Sequence, residues 1–429
     1  SVIEPNTLGE SSNRVINNSI FIVENSVIKT NIENIGNIYL NGVDTIYNIV
    51  NTGTVRTANT TEFAGIFTNN KNLYLTNSVT FSSTLVNNLN GVITTSDSDS
   101  AQGNFFNKIE NEGKITLSSM NDNFIGAVIN NGDITVEGQT NLSSELTGLG
   151  TTTVKNNLTI SSDGVFTEEQ GLKVEYKNTV TVDGGTLTIN TSNTSDNYDV
   201  INGVIVGKTG TLKINNSTIT DRQLSIVDYS DITVELSNTR MNFSNNGITN
   251  TNLGKLVSTK DSQFMLDIDF ETATIDTITL HSDSNAVINI VDLKGLSKNN
   301  IPMNYNIVFK VLNDDTNAVL YLDESDGGII QKYKSTSDLS EFYNSSTDTY
   351  EVTSDGFIGT MGVGLDSSKK SIIVGNLTGY DVLNYLNIQS NLKRKFIVLS
   401  TGYKTSKSIG VTASGSMEVV GDGTDKTLY

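Results

Sequence analysis

The segment Asn111–Leu117, Asn-Glu-Gly-Lys-Ile-Thr-Leu, decides the fold because it returns 19 residues later as Asn130–Val136, Asn-Asn-Gly-Asp-Ile-Thr-Val. Each copy opens with asparagine, turns at glycine and ends in alternating apolar residues, which is the pattern of a half-buried strand. Weaker copies are centred on residues 36, 53, 71 and 91, at intervals of 17 to 22 residues. A repeat of this length predicts short structural units that stack on one another.

The same unit is expected to continue at wider intervals. We assign to it the segments Asn156–Ile160, Gly185–Ile189, Gly210–Ile214 and Ser230–Val234. A coil of about 20 residues cannot bury its own apolar face, but coils stacked about 4.8 Å apart share one continuous core. The chain is therefore predicted to be all-β, a right-handed parallel β-helix whose inner wall includes Ile38, Ile115, Ile134 and Leu187.

Asparagine has two predicted roles in such a coil. It tolerates the left-handed backbone needed at a sharp corner, and stacked asparagine side chains can hydrogen-bond along the axis. A β-sandwich or a propeller is the competing interpretation, because Asn-Gly pairs typical of hairpins occur at 41–42, 90–91, 131–132, 202–203 and 246–247. Their irregular spacing favours the solenoid.

Composition excludes several other classes of protein. Charged residues make up only 17% of the chain, but regularly spaced β-branched and aromatic residues argue against a disordered linker. The two prolines, Pro5 and Pro302, flank a long tract suited to uninterrupted strand ladders. Of 55 asparagines, 46 lie in residues 1–300, which indicates a change of architecture near residue 300.

The charge and the cysteine content limit the kinds of partner and metal site that this chain can have. A net charge of −19 without a basic stripe disfavours nucleic acid, and no apolar run is long enough for a membrane helix. No direct membrane insertion by this segment is expected. The absence of cysteine excludes disulfides and thiolate metal sites, and it suits an exported protein. Because the chain starts at Ser1, we expect it to be part of a larger protein.

Residues 264–296 carry a more specific pattern. An apolar-Asp-apolar-Asp-apolar strand contains Asp267 and Asp269, Asp276 opens the next strand, and a rung with alternating Ile and Val follows. This segment resembles the passenger domains of autotransporters, the self-exported surface proteins of Gram-negative bacteria. The segment Tyr305–Leu312 looks like the next strand of that family. The family's membrane barrel has no counterpart in this sequence.

The resemblance and the composition together predict three regions. Residues 1–296 form the β-solenoid, 297–396 a C-terminal β-rich cap or autochaperone-like region, and 397–429 the start of a further solenoid stretch. Within the cap we expect irregular antiparallel strands at Val319–Leu322, Gly356–Ile358 and Ser371–Val374. A short helix is predicted from Asp381 to Ile388, with Asp381 as N-cap.

Residues that could carry chemistry are few. The single histidine, His281, lacks partners for a zinc site or a catalytic triad and is expected to be solvated. Several groups of neighbouring acidic residues are predicted to be solvated carboxylates in loops. These groups are Asp97 and Asp99, Asp314 and Asp315, and Asp323 with Glu324 and Asp326. The basic cluster Lys393–Lys395 is predicted to be the solvated end of a helix. Arg222 beside Asp221 is a weak candidate for an enzyme site. No catalytic, metal or cofactor-binding residue and no cofactor is predicted.

We therefore expect a bacterial cell-surface structural or adhesive scaffold, displayed extracellularly in association with the outer membrane and not catalytic. Its expected partners are a host or matrix glycan or protein receptor, or further copies of itself in fibres. Binding loops are expected near residues 94–106, 137–153, 163–177 and 190–205, where the repeat widens. The alternatives are a carbohydrate-active β-helix enzyme, which needs clustered carboxylates, and a self-assembling extracellular filament or sheath subunit.

Overall fold

A computed structural model describes residues 2–3, 14–42, 44–76, 78–96, 103–167, 171–191, 199–228, 230–269, 272–295, 307–322, 343–344, 349–353, 361–376 and 395–399. Within these ranges the chain is all-β, and parallel strands stack as a solenoid of about 12 turns, which confirms the predicted β-solenoid. The described residues contain no helix long and apolar enough to cross a membrane. The chain divides into two compact units, Ser1–Thr239 and Arg240–Tyr429. The predicted boundary at 296/297 lies outside the described residues.

One coil of the first unit shows how the repeat folds. The strand Asp44–Asn51 alternates buried and exposed residues except at Tyr47 and Asn48, where two exposed residues in succession mark a bend. A two-residue turn follows, and Thr54–Thr57 forms a second wall. The next coil begins at Thr61–Phe63, which pairs in parallel with the start of Asp44–Asn51. Each coil thus contributes strands to two sheets.

The smaller of these is a ten-stranded parallel sheet, here called the ten-stranded sheet, which lies entirely in the first unit. Its strands are Ile20–Val23, Asn37–Leu40, Thr54–Thr57, Asn72–Thr76, Val92–Ser96, Lys114–Leu117, Asp133–Val136, Thr151–Val154, Gly171–Val174 and Val200–Ile201.

The remaining strands of the first unit form what we call the large sheet. They are Val2–Ile3, Arg14–Asn17, Val27–Asn34, Asp44–Asn51, Thr61–Phe63, Phe67–Asn69, Val79–Asn87, Phe105–Asn111, Asp122–Phe124, Val128–Asn130, Gln139–Leu142, Glu145–Thr147, Asn157–Ser161, Val165–Phe166, Thr179–Asn190, Val204–Asn215, Thr218–Thr220, Leu224–Ile226 and Ile232–Ser237.

The predicted inner wall exists, but Leu187 does not belong to it. Ile38, Ile115 and Ile134 stand in one column of the ten-stranded sheet, and all three are buried. Leu187 lies in the large sheet, paired with Phe166 and Leu212. The assignment of Asn156–Ile160 and the three later segments to the same repeat as Asn111–Leu117 is therefore wrong, because all four belong to the large sheet.

The core of the large sheet contains a column of stacked phenylalanines. Phe63, Phe81, Phe106 and Phe124 occupy equivalent positions in successive coils. Their ring centroids are 4.8, 5.4 and 5.6 Å apart, close to the spacing of adjacent strands. Offset or tilted aromatic contacts at these distances add to the stabilisation that burial alone provides.

A buried asparagine ladder runs along the corner between the two sheets. In six successive contacts the Nδ2 of one asparagine donates to the Oδ1 of the asparagine in the next coil, at 2.7–2.8 Å. The members are Asn17, Asn34, Asn51, Asn69, Asn87, Asn111 and Asn130. The predicted stacking of asparagine side chains is confirmed, since these residues open the repeat.

The glycine of the repeat follows the ladder because two backbones meet there. A Cβ at Gly132 would lie 2.2 Å from the carbonyl oxygen of Gly113 in the preceding coil. No side chain fits at that distance without a backbone shift. The Asn-x-Gly pattern thus combines a buried amide with a close backbone approach.

The second unit continues with parallel rungs and adds antiparallel strands. Gln263–Asp269 pairs with Asn285–Gly295, which pairs in turn with Val319–Leu322. Val319–Leu322 is a strand as predicted, but it pairs in parallel, so its antiparallel assignment is wrong. The unit also contains Arg240–Asn242, Asn250–Asn252, Lys255–Ser258, Thr274–Ile275, Thr277–Thr279, Tyr343–Asn344, Thr349–Thr353 and Lys395–Leu399.

Three further strands form an antiparallel sheet. Ser371–Asn376 pairs with Ile307–Lys310 on one side and with Met361–Leu365 on the other. These confirm the predicted strands at Ser371–Val374 and within Tyr305–Leu312. The predicted strand Gly356–Ile358, the helix Asp381–Ile388 and the region 400–429 lie outside the described residues.

Candidate functional site on the ten-stranded sheet

The outer face of the ten-stranded sheet brings two tyrosines and an arginine into one column. Parallel register pairs Tyr39 with Arg56, and Arg56 with Tyr74. Because strand residues alternate, the neighbouring Ile38, Val55 and Leu73 point inward and are fully buried. The column is therefore anchored on a close-packed wall.

Arg56 is held by an aromatic ring and not by an acid. Its guanidinium carbon lies 3.9 Å from the centroid of the Tyr74 ring, a favourable cation–π distance. No carboxylate of the described residues lies within ion-pair distance of it, whereas Arg14 pairs with Glu33 at 2.8 Å. Arg56 thus offers a positive charge that the described part of the protein does not neutralise.

Within the four strands around Arg56, no other outward side chain is charged. The outward side chains of four consecutive strands, from Asn37–Leu40 to Val92–Ser96, are otherwise uncharged. They are Asn37, Tyr39, Thr54, Asn72, Tyr74, Thr76, Val92, Thr94 and Ser96. On a protein of net charge −19, four strands whose only outward charge is positive form a locally distinct surface. We call Tyr39, Arg56 and Tyr74 the Tyr–Arg–Tyr column.

A second cluster consists of the two buried carboxylates of the apolar-Asp motif. Asp267 and Asp276 are 0% and 1% exposed. Asp276 accepts hydrogen bonds from the backbone N–H of Asp267 at 2.6 Å and of Thr249 at 2.7 Å. Asp267 accepts from the backbone N–H groups of Asn246 and Gly247. Together they attach residues 246–249 to the strand pair Gln263–Asp269 and Thr274–Ile275.

The two acids of this cluster are not equally satisfied. Burial raises the pKa of Asp276 above its ordinary value, although its hydrogen bonds act in the opposite direction. The Oδ1 of Asp267 is buried without a hydrogen-bond partner in the described part of the chain. The third acid of the motif, Asp269, accepts a hydrogen bond from the Thr272 hydroxyl at 3.0 Å on the surface.

His281 lies in a turn and is less exposed than predicted. Its side chain is 23% exposed, and its Nδ1 accepts a hydrogen bond from the Asp283 backbone N–H at 3.1 Å. The side chain therefore stabilises the turn. The histidine is partly buried, whereas the sequence predicted that it would be solvated. Within the described ranges, no group of three His, Cys, Asp or Glu residues could hold a metal ion.

The remaining candidates are scattered. Asp314 and Asp315 are exposed in a turn, where Asp314 pairs with Lys310 at 2.5 Å. Arg222 is exposed in the turn beside Asp221. The other candidates, Asp97, Asp99, Asp323, Glu324, Asp326 and Lys393–Lys395, lie outside the described residues.

The prediction of a binding loop at residues 137–153 is wrong. Residues 137–153 contain the regular strands Gln139–Leu142 and Glu145–Thr147, so no insertion occurs there. In the other three segments, residues 97–102, 168–170 and 192–198 lie outside the described part of the chain.

Sequence reasoning missed two features of the structure. Lys370 is buried, donates from Nζ to the Thr316 carbonyl oxygen at 2.6 Å, and has its pKa lowered by burial. The Tyr–Arg–Tyr column was also missed, although the aligned repeats place Tyr39, Arg56 and Tyr74 at one position. Aligning the copies of the repeat by their central residues would have revealed this column.

Comparison with known proteins gives no relative. No protein-family model matches the chain, and no curated protein or solved structure is similar to it.

Proposed function

We propose that this protein is a bacterial cell-surface scaffold with an adhesive role, displayed outside the cell in association with the outer membrane. The observation that carries the proposal is the repetition of buried columns, above all the asparagine ladder, in successive coils. From Asn17 to Asn130 each coil adds the same asparagine contact, so a stable body is extended by repetition. The autotransporter-like motif at Asp267, Asp269 and Asp276 supports display by self-export.

The outer face of the four strands from Asn37–Leu40 to Val92–Ser96, where Arg56 is the one charged outward residue, supports the adhesive part of the proposal. Parallel strands hold its side chains in straight rows, and the buried columns behind it keep the rows rigid. A rigid binding surface loses little conformational entropy when a ligand binds. A glycan or a protein receptor of a host or matrix is the expected partner.

Labelling of intact cells tests this function. Antibodies against the purified chain should label the surface of intact source bacteria, and external protease should remove the label. A mutant lacking the chain should adhere less to a glycan-coated or protein-coated surface. Labelling that requires cell lysis would contradict surface display.

Self-assembly into a filament is the second candidate, favoured by one edge of the ten-stranded sheet. Among the described residues, Ile20–Val23 pairs on one side only, and its outward Ile20 and Ile22 are 62% and 56% exposed. An edge strand with exposed apolar side chains can pair with another chain. A sedimentation coefficient that rises with protein concentration would support self-assembly. Loss of this concentration dependence in Ile22→Lys would place the contact between copies at the strand Ile20–Val23.

The third candidate, a carbohydrate-active enzyme, is tested directly by product formation. Incubation with acidic and neutral polysaccharides, with and without calcium, should yield no new reducing ends if the scaffold proposal holds. Release of oligosaccharides would replace the scaffold proposal with an enzymatic one.

A further inference from the structure

We infer that the Tyr–Arg–Tyr column is a binding site for an acidic polysaccharide, with the Arg56 guanidinium receiving a sugar carboxylate. The inference rests on the proposed adhesive function and names the ligand class for it. Three observations carry it: a guanidinium with no carboxylate partner among the described residues, its aromatic support, and the row of polar side chains beside it.

The state of Arg56 points to an anion. The guanidinium presents donors in a planar fork that matches a carboxylate, and stacking on a ring leaves the edges of that fork free. Tyr74 restricts the side chain through the contact at 3.9 Å, so less entropy is lost when a carboxylate binds. Tyr74 is therefore a positioning residue, and Arg56 makes the contact.

The polar and aromatic side chains around Arg56 indicate that the anion is carried by a sugar. Asn37, Thr54 and Asn72 form the adjacent outward row in the same three strands, and all three are half-exposed. Amide and hydroxyl groups suit the hydroxyls of a pyranose, and tyrosine rings suit its apolar face. Successive strands are about 4.8 Å apart, a spacing comparable to the advance of an extended polysaccharide by one sugar.

Charge distinguishes this ligand from other polyanions. A nucleic acid requires several phosphate contacts, and the outward side chains of these four strands supply one cation. The net charge of −19 opposes any densely charged partner. A short acidic sugar chain that places one carboxylate at Arg56 and neutral hydroxyls beside it fits one guanidinium flanked by uncharged groups.

A matched pair of ligands tests the inference on the whole chain. Calorimetric titration should show binding of oligogalacturonate and at least about tenfold weaker binding of its methyl ester, which removes the charge but keeps the sugar backbone. Hyaluronate and alginate oligomers extend the test to other carboxylated sugars. Equal binding of the acid and the ester would overturn the inference.

Variants of the column locate the site. Arg56→Ala should weaken oligogalacturonate binding about tenfold or more, and Arg56→Lys should restore only part of it because the fork is lost. Tyr74→Phe should bind within about twofold of the unaltered chain, since the ring that supports Arg56 remains. Arg222→Ala, which removes an exposed arginine elsewhere, should bind like the unaltered chain.

The contrary outcomes are distinct. Arg56-dependent binding of a poly-glutamate peptide with greater affinity than any acidic sugar would assign the site to acidic proteins and overturn the inference. An equal loss in Arg222→Ala would indicate nonspecific attraction and would also overturn it. If none of the acidic sugars binds, the ligand class is wrong, whereas surface labelling of cells still decides the proposed scaffold function separately.

Discussion

At the residue scale, the asparagine ladder explains why the repeat begins with this amino acid. Asn69 is fully buried, accepts at Oδ1 from Asn51, and donates from Nδ2 to Asn87 at 2.8 Å. An amide is suited to this arrangement because it carries both a donor and an acceptor, which aspartate or leucine does not. Every internal member therefore satisfies its neighbours on both sides.

Replacing Asn69 with alanine should destabilise the first unit by about 2 to 4 kcal/mol, because it removes two ladder contacts and leaves buried amide groups of Asn51 and Asn87 incompletely paired. Urea unfolding measures the change. The matched control is Asn48→Ala. Its side chain also makes two inter-coil hydrogen bonds, donating to Asn31 at 2.9 Å and accepting from the Ile66 backbone N–H at 2.8 Å, but both are exposed, so their loss should matter by less than about 1 kcal/mol. Equal effects would show that burial of the ladder is not what stabilises it.

Thr152 is a polar residue at a buried position that is apolar in the neighbouring coils. It occupies the inner column between Ile134 and Leu172, is 1% exposed, and its hydroxyl has no hydrogen-bond partner in the described part of the chain. Thr152→Val should stabilise the first unit by about 1 kcal/mol, because an unpaired hydroxyl is removed and the side-chain shape is kept.

Thermal unfolding of Thr152→Val tests this effect, with Thr153→Val as the control on the outer face of the same strand. The control should change stability by no more than about 0.5 kcal/mol. A loss of stability in Thr152→Val would indicate that the hydroxyl is satisfied by a buried water.

At the element scale, the sequence predicts the strands better than it predicts which sheet they join. Both sheets use the same alternation of apolar residues, so Leu187 and Ile134 have the same local pattern. Up to Asn130 the ladder marks one corner of the coil, which is why the early copies are assigned correctly. The next coil has Gly148 near that corner, with φ of 103°, and without an asparagine the phase of the repeat is lost.

The segment containing Asp267 and Asp276 gives an element with a predictable pH response. The pKa of Asp276 is raised by burial above the ordinary 3.8, so the folded state holds this proton at pH values where the unfolded chain has released it. Its contribution to stability is therefore full below pH 3.8 and declines as the pH rises through the folded pKa.

Carbon-detected NMR titration of the side-chain carboxyl groups tests this response. The Asp276 signal should titrate above 3.8, and the signal of exposed Asp228 should titrate below it because the Ser230 side chain and backbone donate hydrogen bonds to its carboxylate. An Asp276 midpoint at or below 3.8 would show that its hydrogen bonds outweigh its burial.

At the scale of the whole molecule, the aligned repeats place Tyr39, Arg56 and Tyr74 at one position, but their meeting on the outer face depends on the strand register. Tyr39, Arg56 and Tyr74 are 17 and 18 residues apart, and a shift of one residue in any coil would turn a side chain from the outer face to the core. The copies of the repeat predict which residues share a row, and the paired strands confirm it for Tyr39, Arg56 and Tyr74.

Because the chain has no cysteine, pairs of introduced cysteines report the stacking of coils directly. Thr94 and Thr116 are paired residues on adjacent strands of the ten-stranded sheet, and Thr135 is paired with Thr116 one coil further on. Adjacent paired residues lie within the Cα separation that a disulfide spans, about 4.4 to 6.8 Å, whereas residues two strands apart lie about 9.6 Å from each other.

Disulfide formation in these double variants is the most direct test of parallel, in-register coils. Under mild oxidation, Thr94→Cys with Thr116→Cys should cross-link within the chain, and so should Thr116→Cys with Thr135→Cys. Thr94→Cys with Thr135→Cys should remain reduced. Failure of both adjacent pairs, or equally rapid cross-linking of the distant pair, would contradict the solenoid on which the account depends.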